Sequence, residues 1–389
     1  MSGDPTAPVG EDVLLARAYL VRVAEPPAPA VSHLVELLGP VEAAARIRGG
    51  ADLGPHVGAE VGARRYDDRS ATDLAAARAL GARLLVPEDP AWPTAAMAGF
   101  AGLPRHAEWV APLALWVRGP ASVNGLAATE ARSVAVVGSR AASGYGKWVA
   151  RDWSASFADA GLTVVSGAAL GIDGEAHRGA LAADGTTVAV LACGLDRAYP
   201  PSHGRLLEAI GSRGLIVSEY PVGAVPAKHR FLVRNRLIAA LSTGTLLVES
   251  GRRSGAARTA LAAQELGRPV LVVPGPVTSA LSVGNHQLLR KGYATVVGSA
   301  ADVVGDLAPL DGRAPLDDPA RDGAPAPTDG LSGAAVRVHG ALRGHAPQTV
   351  PALARESGVL PRTVVGALDE LVAAGLVVPD GERGWSRSV

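Results

Sequence analysis

The sequence predicts an α/β protein built on an extended Rossmann-like, doubly wound parallel sheet, with an N-terminal helical module and a C-terminal winged helix. Three observations predict it. Apolar, β-branched runs recur at 133–137, 163–166, 187–191, 214–217, 245–249 and 270–273, with helix-length segments between them such as 143–160, 175–183, 202–212 and 255–266. The runs lack polar alternation, as strands covered on both faces should. Small-residue turns, Gly138-Ser139-Arg140 and Ser166-Gly167, close the first two runs, at the strand ends where open α/β sheets bind ligands.

Taken in order, residues 11–65 read as short helices. Val31–Leu38 and Val41–Ile47 have helical apolar spacing, and Gly39-Pro40 punctuates them. Such a glycine-joined pair serves either as a packing module or, as in helix-hairpin-helix and SAM-like units, as a contact to a DNA backbone; residues 1–70 are assigned to this module. Residues 71–130 form a lead-in, with a helix at 72–81 and strands at 84–86 and 113–118. The main domain runs over 131–308. Residues 309–330, rich in Pro, Asp, Gly and Ala, read as a flexible linker. In 331–389, a short helix at 350–357, the turn residue Gly358, an amphipathic helix from Pro361 to Ala374 and a wing strand from Gly375 give a winged-helix pattern. Its second helix sets Arg362 against Asp369 and Glu370, a poor surface for phosphates, so an interaction role is expected over sequence-specific readout.

Composition narrows the function. At 389 residues and 48% hydrophobic content, two or three domains with a large core are expected. No run has membrane-span character, and the start shows no signal-peptide pattern. The lone cysteine, Cys193, excludes an intrachain disulfide framework and a multi-cysteine metal site. A cytoplasmic protein without membrane insertion, metal or cofactor is expected. The net charge of zero hides an asymmetry: residues 131–300 hold 18 Lys and Arg against 10 Asp and Glu, and include all three lysines, Lys147, Lys228 and Lys291. A basic centre suits a polyanion, although a solvated surface of this charge is also ordinary.

The first turn, Gly138 to Ser143, is not G-x-G-x-x-G, and Ser166-Gly167 stands where a ribose-binding acid would close the second strand. A dinucleotide dehydrogenase is therefore disfavoured, and the absence of G-x-x-x-x-G-K-[ST] excludes a P-loop NTPase. What remains is a pair of anion-ready turns. Backbone and hydroxyl donors at Gly138, Ser139, Ser166 and Gly167, a helix N-terminus and the fork of Arg140 suit phosphate oxygens. Lys228 and Phe231, three apart, add a cation and a stacking ring; stacking on an aromatic ring contributes about 1–3 kcal/mol per base and tolerates any sequence.

Nine motifs in fixed order then resemble the DNA-processing protein A (DprA/Smf) family. They are Val137-Gly138-Ser139-Arg140, Tyr145-Gly146, Ser166-Gly167, Gly171-Ile172-Asp173 with Ala176-His177, Gly194-Leu195-Asp196 with Tyr199-Pro200, Ser218-Glu219-Tyr220-Pro221, Arg234-Asn235-Arg236-Leu237-Ile238, Val248-Glu249 with Ser254-Gly255 and Thr259, and Pro274-Gly275. The chain departs from the family pattern at Leu232, where proline is usual, at His203 and His286, where asparagine is usual, and at Gly292-Tyr293, where Gly-Ala is usual. The resemblance implies a sequence-independent single-stranded DNA-binding protein that protects incoming strands and helps load the RecA recombinase during natural transformation (competence) and DNA recombination. It also implies a homodimer joined through the Rossmann domains.

The expected DNA-contacting set is Gly138, Ser139, Arg140, Ser143, Tyr145, Gly146, Ser166, Gly167, Gly171, Lys228, Phe231, Arg234, Asn235, Arg236, Ser254 and Gly255, with Asp173, His177, Glu219 and Glu249 bracing it. Structural alternatives stand beside it: Phe231 as a core ring, and Arg234 and Arg236 as partners of Glu219 or Glu249. No catalytic residue is expected. Nucleotide phosphoribohydrolases of the LOG type share the fold, but their Pro-Gly-Gly-x-Gly-Thr-x-x-Glu segment is missing at 243–251. Base release from nucleoside monophosphates separates that reading from DNA binding, and footprinting on duplex DNA separates a transcription factor.

Overall fold

The computed structural model describes residues 9–103, 109–124, 132–252, 254–308, 330–342, 347–381 and 384–388. Contacts divide the chain into two units, Met1–Leu316 and Asp317–Val389.

The first unit opens with five helices, α1 (Glu11–Val23), α2 (Pro29–Leu38), α3 (Pro40–Arg48), α4 (Gly54–Val61) and α5 (Ser70–Ala79). Gly39, at φ 77°, ends α2 and starts α3, with Pro40 at the first helical position. There follow β1 (Ala82–Leu85), α6 (Thr94–Ala98), β2 (Leu115–Arg118), β3 (Ser133–Val137), α7 (Gly144–Asp159), β4 (Thr163–Ser166), α8 (Ile172–Ala182) and β5 (Thr187–Leu191). A 3-10 turn at Pro201–His203 leads into α9 (Gly204–Arg213) and β6 (Leu215–Ser218). The rest is α10 (Lys228–Ala240), β7 (Gly244–Leu247), α11 (Gly255–Glu265), β8 (Val270–Val272), α12 (Val283–Arg290), β9 (Thr295–Val296) and α13 (Ala300–Asp306).

One nine-stranded sheet runs β1-β2-β6-β5-β4-β3-β7-β8-β9. The seven strands from β6 to β9 are mutually parallel, and the lead-in strands β1 and β2 add an antiparallel edge beside β6. Successive residues of β3 feed opposite faces. Val134 and Val136 join a core with α7, α8 and α13, whereas Ala135 and Val137 join one with α10 and α11. Burial on both sides explains the unbroken apolar runs.

The N-terminal helices share a continuous core with the sheet: Tyr19, Leu20, Val31 and Ile47 belong to the same cluster as Trp116, Leu191 and Ile210. Two buried-side ion pairs fasten them, Arg22 to Asp73 at 2.5 Å and Arg17 to Glu88 at 2.6 Å. Strand β7 stops at Leu247, two residues short of the expected 245–249, because Glu249 turns away to serve the start of α7.

The second unit has α14 (Gly333–Ala341), α15 (Val350–Ser357), α16 (Pro361–Ala373) and a hairpin of β10 (Val377–Pro379) with β11 (Trp385–Arg387). Gly358, left-handed at φ 67°, ends α15, and Val338, Leu353, Val364, Leu368 and Leu371 form the core. The expected linker, Gly330 apart, lies outside the described residues.

Candidate nucleic-acid groove

From β3 the chain winds through β4 and β5 to β6 on one side, then returns to β7 on the other side of β3. Between β3 and β7 the winding reverses, and at such a switch point the loops leaving adjacent strand ends diverge and open a crevice. An open groove of about 780 Å³ occupies it. Its walls are Gly138, Ser139 and Arg140 after β3, Gly251 and Arg252 after β7, Lys228, Phe231, Arg234 and Asn235 of α10, and Ser254, Gly255 and Thr259 at the start of α11.

Phe231 is the centre of the groove. It is half-buried and stands clear of the core, so the core-ring alternative is not what the fold adopts. The Arg140 guanidinium lies 5.0 Å from its ring centroid, Arg234 lies 6.0 Å away, and the Tyr199 ring packs at 5.1 Å and 43°. Cations over an aromatic face are attracted by its quadrupole. Arg140, Lys228 and Arg252 are exposed, whereas Arg234 is 4% exposed. Arg234 donates to the carbonyls of Gly167, at 2.8 Å, and Val190. Burial lowers its pKa to about 10, which leaves it cationic at neutral pH. It pairs with neither Glu219 nor Glu249.

In the neighbouring turns several of the residues expected to touch DNA are engaged within the fold. Glu249, 5% exposed, sits at the N-terminus of α7, where it accepts from the Ser143 backbone N–H at 2.9 Å and the Ser143 hydroxyl at 2.5 Å. Ser143 Oγ in turn accepts from the Gly146 N–H, and a side chain at Gly146 would strike the Glu249 carboxyl at 2.4 Å. The anion expected at this helix start is thus the chain's own carboxylate. The Ser139 N–H donates to the Glu249 carbonyl at 2.8 Å, and the Gly167 N–H donates to Asp173 at 3.1 Å. Ser166 is fully buried, with its hydroxyl on the Val136 carbonyl. Gly171, at φ 77°, lets the Ser139 carbonyl pass where a Cβ would sit 2.2 Å from it. Tyr145 is exposed but its hydroxyl reaches toward the Pro274 carbonyl at 3.3 Å, outside the groove lining. None of Ser143, Gly146, Ser166, Gly167 and Gly171 lines the groove, and the first four have donors already bonded within the fold.

Arg236 is likewise engaged within the fold. It is 3% exposed, forms a two-pronged pair with Glu219 at 2.7 and 2.8 Å, and donates its Nε to Val110. All three guanidinium nitrogens are engaged inside the fold. Asn235 donates to the Gly255 carbonyl at 3.1 Å and ties α10 to the start of α11, which Ser254 caps.

Asp173 borders the groove from below. Burial raises its pKa, against the opposing pull of the Arg234 charge and its bonds to Ala169, Gly167 and Ser166. His177 is fully buried; its Nδ1 lies 2.7 Å from Thr187 Oγ1, which itself donates to Val164, so Nδ1–H is the donor. Burial, helped by the neighbouring charges of His203, Arg178 and Arg234, lowers its pKa to about 3. Burial likewise pushes the Cys193 thiol up to about 11, so it packs as a neutral group. Among the described residues there is no cluster of three or more His, Cys, Asp or Glu fit for a metal, and no helix long and apolar enough to cross a membrane.

Tyr199 and Arg252 were not anticipated in the groove. Arg252 follows a small-residue turn at a strand end, the same local signal that marks Arg140. Tyr199 has no local signal, because it meets Phe231, a residue of α10 that lies 32 positions further along the chain.

Residues 83–308 match the family model of DNA recombination-mediator protein A. A DNA processing protein DprA of Mycobacterium tuberculosis strain H37Rv is 47% identical over 378 residues, covering 96% of this chain and 92% of its own length. Protein Smf of Escherichia coli K12 is 42% identical over 186 residues, covering 48% of each chain. The X-ray structure of DNA processing protein A from Streptococcus pneumoniae superposes with a TM-score of 0.62 at 29% identity, over 76% of this chain and 98% of that one. With the groove at the switch point and the family match over most of the sheet, the chain belongs to the DNA recombination-mediator protein A family, the DprA/Smf proteins.

Proposed function

We propose that the groove binds single-stranded DNA irrespective of sequence. The carrying observation is Phe231, a half-buried ring with Arg140 and Arg234 over its face, in a groove that Lys228 and Arg252 also line. Phosphates attract the cations, and the ring stacks on any base. In the free chain Arg140 rests on Phe231, so a strand draws the guanidinium onto a phosphate and bares the ring for a base.

The wider role proposed is protection of incoming strands and help in loading a RecA-type recombinase during transformation or recombination, in the cytoplasm and as a homodimer. Membership of a family of recombination mediators supports the recombination part of it. A non-catalytic role is supported by the use of the nearby carboxylates: Asp173 and Glu249 both hold backbone N–H groups. For the second unit, a winged-helix interaction module is supported by the α15–Gly358–α16 turn followed by the hairpin.

The test is a salt titration of binding to labelled oligo-dT and to an equal-length duplex, with wild type and Arg140→Ala. Tight single-strand binding that weakens with salt and is lost in the variant supports the reading. A folded protein that ignores single strands overturns it, and base release from nucleoside monophosphates would point to the phosphoribohydrolase instead.

A further inference from the structure

The N-terminal helices contribute no residue to the groove wall, yet one of their side chains reaches the helix that carries Lys228 and Phe231. Glu25 lies between α1 and α2. Its carboxylate accepts from Arg230 at 2.7 and 2.9 Å, from His229 Nε2 at 3.1 Å and from Arg64 at 2.9 Å. Burial pushes its pKa up, but the bonds to Arg230, His229 and Arg64 pull it down further, and it ends below the ordinary carboxylate value.

The two α10 residues it grips, His229 and Arg230, sit between Lys228 and Phe231 in the first turn. That turn needs an anchor. It follows the irregular segment 221–227, and its N-cap, Ala227, supplies no side-chain cap. A helix start without a cap frays readily. Arg230 passes the restraint on, donating to the Val225 carbonyl at 2.8 Å and lying 4.7 Å from the ring centroid of the buried Tyr220. A carboxylate beside a helix start is also favoured by the helix dipole. On a helix, residues three apart share a face, so fixing this turn fixes Lys228 and Phe231 together.

We propose that Glu25 is a positioning residue for nucleic-acid binding: by clamping His229 and Arg230 it holds the first turn of α10 so that Lys228 and Phe231 face the groove. The inference rests on the groove reading above, and it gives the N-terminal helices a part in affinity.

Two physical effects of removing the carboxylate have opposite signs, which makes the test sharp. By Coulomb attraction alone, Glu25→Gln makes the region more positive and tightens binding of a polyanion. Loss of positioning weakens it. The experiment measures oligo-dT binding by fluorescence anisotropy across a salt series, for wild type, Glu25→Gln, Lys228→Ala, Arg140→Ala and the double variant Glu25→Gln/Lys228→Ala. Positioning predicts that Glu25→Gln binds about five- to tenfold more weakly. Its log–log salt slope should fall by about 0.7, the value for one phosphate contact on a single strand. The double variant should lose less than the sum of the two single losses, since residues acting through one another are not additive, while the loss of Phe231 positioning remains. Should Glu25→Gln fail to fold, Glu25→Asp keeps the charge but shortens its reach, and a folded Glu25→Asp must show a smaller loss in the same direction. If Glu25→Gln binds as tightly as wild type or more so, with an unchanged slope, while Lys228→Ala and Arg140→Ala are impaired, the inference is overturned and the groove stands. If wild type itself does not bind, both fall.

Discussion

The groove wall and the turns directly behind it are made of the same residue types and end in opposite states. Behind the wall, Glu249 answers Ser143 and Arg236 answers Glu219, while Gly167 donates to Asp173 at the groove's lower edge. On the wall, Arg140, Lys228 and Arg252 face water, and Phe231 lies half open. The difference teaches that a polar residue at a strand end stays available to a ligand only where the fold leaves its donors unanswered. Arg234 stands at the border: its Nη1 is bonded to two carbonyls, but the residue lines the groove.

If the division is real, the inner residues report through stability and the wall residues through binding. The largest effect is expected at Arg236. Arg236→Met strands the buried Glu219 carboxylate and should cost about 3–5 kcal/mol of stability in urea unfolding. Adding Glu219→Gln should restore part of it. An Arg236→Met protein of normal stability that fails to bind would break the comparison. On the wall, Arg140→Ala should lose about 1.5–3 kcal/mol of single-strand binding, the scale of a charge-assisted hydrogen bond, with unfolding unchanged within about 0.5 kcal/mol.

His177 sharpens the inner side through pH. Its folded pKa, about 3, lies below the unfolded value of about 6.5. The unfolded chain therefore binds the proton first. The stability this neutral histidine contributes is complete above about pH 6.5 and is lost progressively as the pH falls toward 3. Between pH 7 and pH 5 the loss is about 2 kcal/mol, and His177→Asn should flatten that part of the curve whatever its stability at pH 7. The smallest effect is at Lys228, where Lys228→Ala should reduce the salt slope by about 0.7 and leave the unfolding curve in place.

Much of the fold was legible because its signals are local. Six apolar runs each became a strand, and the glycine-rich ends gave the switch point its place. The meeting of Arg140, Lys228 and Phe231 on one groove was legible too, since a cation or ring beside a strand end or helix start is visible within a few residues. What stayed hidden is long-range. Nothing near Ser143 tells that its partner is Glu249, 106 positions on, or near Gly167 that the Arg234 guanidinium, 67 positions on, occupies the space a side chain would need. The same holds for Arg236. Pairing with Glu219 or exposure to a phosphate were both open, and only packing against Val110 and Glu219 decides for the first.

The strand order carries a consequence for the growing polypeptide. Because the chain lays down β3 to β6 before it doubles back to β7, a nascent molecule displays Arg140 long before α10 and the start of α11 exist to face it. Domains form as units during synthesis, N-terminal parts first. A ribosome-bound fragment ending near Ser218 thus lacks Lys228, Phe231 and the start of α11, and the groove proposed to bind single strands is complete only after residue 259 has left the ribosome. Truncation upstream of that point should yield chains that retain several strands yet have no grip on nucleic acid.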